Sequence, residues 1–251
     1  MQPWYPKALA VLTCLHPTIR PYRPRLVKTQ ILDAMKPLFF ALWLGLIAYA
    51  TILAPPDQPD TLDLIRRLSV GDWQGINPAV IALFNAMGIW PMVYACLALI
   101  DGQGQRLPAW PFVVGAFALG AFALLPYLAL RQPQAKFLGP KTALLRLVDA
   151  RWLGAVLLVG AIAVLGLGLV QGDWAAFGQQ WQTSRFIHVM GLDFCALWLL
   201  FPTLLRDDLT RRGLAQHPWI YAGVLALPLV GACLYLVLRP PLPELSEGVG
   251  G

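Results

Sequence analysis

Residues 186–205 read FIHVMGLDFCALWLLFPTLL, twenty positions carrying one carboxylate, Asp193, and one imidazole, His188. An apolar run of about 20 residues is what a helix needs to cross the hydrocarbon core of a bilayer. Five further blocks of similar character surround it, near Pro37–Leu53, Pro78–Ile100, Pro111–Leu130, Trp152–Val170 and Trp219–Leu238. Over the 251 residues, 58% are hydrophobic and 13% charged, against about 25% charged in soluble domains. The sequence therefore predicts an all-α, polytopic transmembrane bundle of six helices. Trp110, Trp152, Trp181 and Trp219 stand at or near block ends, where interfacial indoles collect. Pro91, Pro126 and Pro228 fall inside blocks and should bend them.

The net charge of +6 does not point to nucleic acid. Lys7, Arg20, Arg23, Arg25 and Lys28 belong to residues 1–34, a Pro-rich stretch expected to be disordered or to precede a second possible start at Met35. Residues 240–251 read as a disordered tail. From Met35 onward, the loops after the first, third and fifth blocks hold ten Lys and Arg, and the other side holds four. The positive-inside rule then places both termini outside. Cys14, Cys96, Cys195 and Cys233 form no C-x-x-C, so no disulfide framework or zinc site is indicated.

Several short matches recur in register. Trp43-Leu44-Gly45 returns as Trp152-Leu153-Gly154, Gly71-Asp72-Trp73 as Gly172-Asp173-Trp174, and Met87-Gly88 as Met190-Gly191. Trp110 is matched by Trp219, and Tyr127-Leu128-x-Leu130-Arg131 by Tyr235-Leu236-x-Leu238-Arg239. These matches predict a duplication, with repeats over residues 35–131 and 152–239 joined by an amphipathic linker over 132–151. Three crossings per repeat would invert the second copy relative to the first. Each Gly-Asp-Trp is expected to be a turn with an acidic cap.

This half-repeat, with Phe84-Asn85-Ala86-Met87-Gly88-Ile89-Trp90-Pro91 in its second block, resembles integral membrane proteins of cyanobacteria and chloroplasts built from a duplicated three-helix domain of unassigned function. The resemblance covers about residues 36–240. It implies a photosynthetic, thylakoid or plasma membrane and no particular activity.

Ionisable groups inside a span are costly and hence candidates for function. Asp193 lies deep in the fifth block, with His188 and Arg185 earlier on that helix and Asn85 at a comparable level of the second block. Asp193 is either a proton or cation site at the repeat interface or a hydrogen-bonded tie between helices, with Asn85 or the carbonyl of Met87, freed by Pro91, as the expected partner. His188 is a candidate ligand for chlorophyll magnesium or an interfacial hydrogen-bonder. Gly154, Ala161 and Gly168, with the pairs Ala82/Ala86, Ala116/Gly120 and Ala222/Ala226, provide small-residue faces for helix packing. Residues 60–68 and 141–151 are expected to form short helices on the membrane surface, attracted to anionic lipid. No glutamate precedes Glu244 and no hydrolase, zincin or P-loop motif occurs, so no catalytic residues are assigned. The expectation is a non-catalytic membrane protein that accompanies a larger photosynthetic complex. The alternative is a small secondary transporter or channel with its site near Asp193, and a polar cavity there would distinguish it.

Overall fold

The computed structural model describes residues 24–132, 134, 137 and 141–243, giving only the backbone of residues 24–34. Two compact units are distinguished, Met1–Met35 and Lys36–Gly251. In the first, the described residues are helical, so residues 24–34 of the expected disordered extension begin a helix; residues 1–23 and the tail residues 244–251 lie outside the described part. Everything below concerns the second unit.

Eleven α-helices make up the described chain: α1 Pro24–Ala48, α2 Thr61–Val70, α3 Pro78–Asp101, α4 Trp110–Leu119, α5 Ala121–Leu130, α6 Ala143–Asp149, α7 Arg151–Gln171, α8 Trp174–Thr183, α9 Arg185–Arg211, α10 Trp219–Ala226 and α11 Val230–Leu238. A π-helical turn, Tyr49–Leu53, extends α1. Four helices are long and apolar enough to cross a membrane: Met35–Leu53, α3, α7 and α9. The molecule is thus a helical, multi-pass membrane protein.

The expected third and sixth spans are not single helices. The third is two ten-residue helices broken at Gly120, which adopts φ +50° and ψ −126°. The halves fold back on each other, with Phe112 and Tyr127 rings 5.7 Å apart and the Gln132 N–H bonded to Gln105 Oε1 at 2.9 Å. The sixth breaks at Pro228, which has no N–H to donate, and at Leu229, whose φ of +63° is unique among the described non-glycine residues. There Gly231 lies so close to Gly223 that a Cβ would strike its carbonyl. Two short helices carry as many apolar residues as one span, and so a hairpin has a span's hydropathy. Pro126, expected to bend the third block, stays within α5.

The inverted relation of the halves is not what these contacts give. Phe84 meets Phe186, Trp90 meets Phe194, Tyr94 donates to the Leu197 carbonyl at 2.6 Å, and Asp101 meets Arg211. Rising numbers pair with rising numbers, so α3 and α9 run side by side in the same direction. Each half has two long helices and a hairpin whose two ends lie together. The early sequence matches also lose equivalence. Trp43 lies inside α1 but Trp152 at the start of α7, and Gly71-Asp72-Trp73 follows α2 whereas Gly172-Asp173-Trp174 leads into α8.

Local capping follows the sequence. Asn77 accepts from the Ala79 N–H at 3.0 Å with Pro78 in the first turn of α3, Asp173 accepts from Ala176 at 2.9 Å, and Thr142 accepts from Leu145 at 3.3 Å. The short helices expected near 60–68 and 141–151 are present as α2 and α6. The stripe Gly154, Ala161 and Gly168 is buried in α7, with Gly168 against Ala82 of α3 and Gly154 against Leu236 of α11. Ala222 and Ala226, expected to form such a face, are exposed.

Candidate functional site: a cleft over Asp193

Asp193, 5% exposed, faces the broken tip of the first hairpin. Its Oδ1 accepts the Ala121 N–H at 2.7 Å, a donor that starts α5 and has no carbonyl of its own helix to serve. The positive end of the α5 dipole therefore rests on this carboxylate. Neither expected partner is used: the Asn85 amide bonds back to the Ile81 carbonyl at 2.8 Å. Among the described residues no hydrogen bond reaches Asp193 Oδ2. Gly120 makes the approach possible, since a Cβ there would occupy the carboxylate's position.

A cleft of about 720 Å³ opens beside the carboxylate. Trp43, Phe84, Phe117, Phe122, Phe186 and Met190 supply apolar walls, and Asp57, Thr61 and Arg185 lie at its outer end. Arg185 is already engaged, bonding Asp57 at 2.8 Å and the Pro55 carbonyl at 3.0 Å. Trp43 holds the hairpin tip from α1 by donating to the Phe122 carbonyl at 2.9 Å.

His188 is near but plays another part. Its Nδ1 lies 2.9 Å from the Trp181 carbonyl and therefore carries the proton, leaving Nε2 to accept from the Tyr49 hydroxyl at 2.9 Å. The ring is stacked on Trp181 with centroids 4.1 Å apart. Both nitrogens are committed, so the expected role as a chlorophyll ligand does not fit this geometry. His188 ties α8 and the end of α1 to α9.

A second polar centre was not anticipated. Where α3 and α9 end, two similar clusters are buried. Asp101 accepts from Tyr127 at 2.7 Å and Arg131 at 2.9 Å, and pairs with Arg211. Asp208 accepts from Tyr235 at 2.7 Å, Arg212 at 2.9 Å and Arg239 at 3.1 Å. Arg131 also pairs with Asp207 at 2.8 Å, and Arg212 with Asp149 at 2.7 Å. Burial alone would push the Asp149 carboxyl up, but Arg212, the Leu242 N–H and Arg239 outweigh it and hold the group below its ordinary value. Six spans would place Arg239 on the face opposite Arg131, Arg211 and Arg212, yet all four are at most 8% exposed and meet at one end. The available signal was Tyr-x-x-x-Arg, placed twice so that both side chains share a helix face, with Asp101 and Asp208 in the last turns of α3 and α9.

No protein-family model, no curated protein and no solved structure matches this chain.

Proposed function

We propose that the protein is a small secondary transporter that moves a proton, or a monovalent cation in its place, by way of Asp193. One observation carries this reading: a carboxylate with one unpartnered oxygen sits at the tip of a broken helix and faces a cleft. Discontinuous helices with an ionisable group at the break are how transporters build intramembrane sites. The cleft's outer end carries Asp57 and Arg185, whereas the clusters around Asp101 and Asp208 lie at the other ends of α3 and α9. Such a cavity open to one face and blocked at the other is one state of an alternating-access cycle. The buried Asp101, Asp149, Asp193, Asp207 and Asp208 give the bundle more internal charge than helix packing requires, which favours transport over an accessory role.

Duplication with parallel halves belongs to the same proposal, related by an axis along the membrane normal. Trp110 and Trp219 both open a hairpin, and the two Tyr–Asp–Arg clusters correspond element by element. With four crossings, Arg106, Arg131, Lys141, Arg146, Arg151, Arg206, Arg211, Arg212 and Arg239 share the ion-pair face, against Arg66, Arg67 and Arg185 opposite. The positive-inside rule then turns the ion-pair face to the cytoplasm, reversing the orientation expected from six spans. The photosynthetic membrane implied by the resemblance is the location proposed.

The test is flux in sealed vesicles. Purified protein in liposomes, driven by an imposed potential and read with an entrapped pH dye or a sodium or potassium indicator, should carry a current that Asp193→Asn abolishes. Asn can still accept the Ala121 N–H, so the variant should keep its unfolding temperature. Wild-type vesicles no leakier than empty ones to each of these ions would overturn the reading.

A further inference from the structure

We propose that the cleft binds an organic cation, an ammonium- or phosphonium-type charge on an apolar body, with the charge against Asp193 and the body among the aromatic walls. The inference deepens the transport reading by naming the class of solute. It rests on the composition of the cleft rather than on its position in the membrane.

The sign of the ligand follows from what faces the cavity. Asp193 is the one acidic or basic side chain at its inner end, and its Oδ2 has no hydrogen-bond partner among the described residues. Arg185, the cation on the lining, is satisfied by Asp57 and the Pro55 carbonyl. An anion would meet a carboxylate there without a free counter-charge.

The kind of cation follows from the walls. Calcium takes six to eight oxygen ligands and magnesium a near-octahedral set, and no group of three metal-ligating side chains exists among the described residues. One carboxylate among apolar side chains cannot replace the hydration of a divalent ion. A cation whose charge is spread or shielded by carbon loses little hydration on entering, and it gains from aromatic faces within reach. Trp43, Phe84, Phe117 and Phe186 come from α1, α3, α4 and α9, so rings surround the space on several sides. The volume, about 720 Å³, falls within the range of pockets that enclose drug-sized molecules.

Access is provided by α1. Of its spanning segment, Phe39 alone is buried, and residues such as Leu42, Leu44, Ile52 and Leu53 are exposed. Trp43 and Tyr49 hydrogen-bond it to Phe122 and His188. A helix with so little buried surface borders the cleft, which suits a solute that partitions into the bilayer first.

Tetraphenylphosphonium is the probe, and tetraphenylborate, of the same shape and opposite charge, is its control. Equilibrium binding to the full chain in nanodiscs should show saturable uptake of the phosphonium, weakened about tenfold or more by Asp193→Asn, the loss of at least one charge-pair's worth of affinity. Phe84→Leu, which leaves the carboxylate in place, should weaken it several-fold and serves if the aspartate variant does not fold. Equal affinity in wild type and Asp193→Asn, or tetraphenylborate bound as well as the phosphonium, would reduce the effect to partitioning and overturn the proposal. Ion flux that needs Asp193, without phosphonium binding, overturns this inference alone. Phosphonium binding without any flux overturns the transport reading alone.

Discussion

Gly120 and Asp193 form a pair in which each depends on the other's size. The glycine holds φ at +50°, in the region L side chains rarely adopt, and its missing Cβ is the space that the carboxylate fills. Gly120→Ala therefore meets both backbone strain and overlap, and should cost about 2–3 kcal/mol or more. The two contributions can be separated. On an Asp193→Ala background the overlap is gone and only the strain is left, so the same Gly120→Ala step should cost about 1 kcal/mol. Thermal unfolding of the four proteins in detergent reads this directly. If the two costs come out equal, the glycine is not there for the carboxylate. Hydropathy exposed Asp193 as a candidate because it is the one acid in its span. Its partner was not legible, because a backbone N–H becomes available only where a helix breaks, and the break falls at a glycine that reads equally well as a packing residue.

The long helices were legible for a simple reason: α3, α7 and α9 are runs of apolar residues bounded by Asn77-Pro78, Arg151-Trp152 and Ser184-Arg185. The hairpins were not, since α4 with α5 and α10 with α11 each sum to a span's worth of apolar residues. Small residues on α7 had a packing role that can be measured. A Cβ at Gly168 would come within 2.5 Å of Ala82, whereas one at Gly166 would meet nothing within 4 Å. Gly168→Leu should part α7 from α3 at a cost of about 1–3 kcal/mol, and Gly166→Leu on the same helix should be nearly neutral. Equal unfolding temperatures for the two variants would deny the α3–α7 contact. The junction of α6, α9 and α11 has its own signature in acid. Asp149 titrates below its ordinary value of 3.8 in the folded protein, so its contribution is complete above that value and is lost as pH falls towards the folded value. Stability measured from pH 6 down to about 3 should fall less steeply in Asp149→Asn than in wild type. Parallel curves would mean that Arg212 and Arg239 gain nothing from the charge.

At the scale of the whole molecule, the two halves differ where their first helices pack. Glycines on α7 let it lie close against α3 and α11, while α1 presents Trp43 and Ile47 to a cleft. One half is closed and the other open, and Asp193, carried by α9 of the closed half, faces the open cleft. This difference matters only if the chain crosses the membrane four times with both hairpins returning to one face, and that topology can be tested against six crossings. Six crossings put Arg106, in the loop between α3 and α4, and Ala215, between α9 and α10, on opposite faces. Four crossings put both on the face of the buried ion pairs, because Asp101 bonds Arg131 beyond the first hairpin and Asp208 bonds Arg239 beyond the second. In a background with the four native cysteines replaced by alanine, Arg106→Cys and Ala215→Cys should react with a membrane-impermeant maleimide from the same side. Gly75→Cys, between α2 and α3, should react only from the other. If Arg106→Cys and Ala215→Cys label from opposite sides, one hairpin crosses after all, and α3 and α9 cannot run in the same direction with their clusters together.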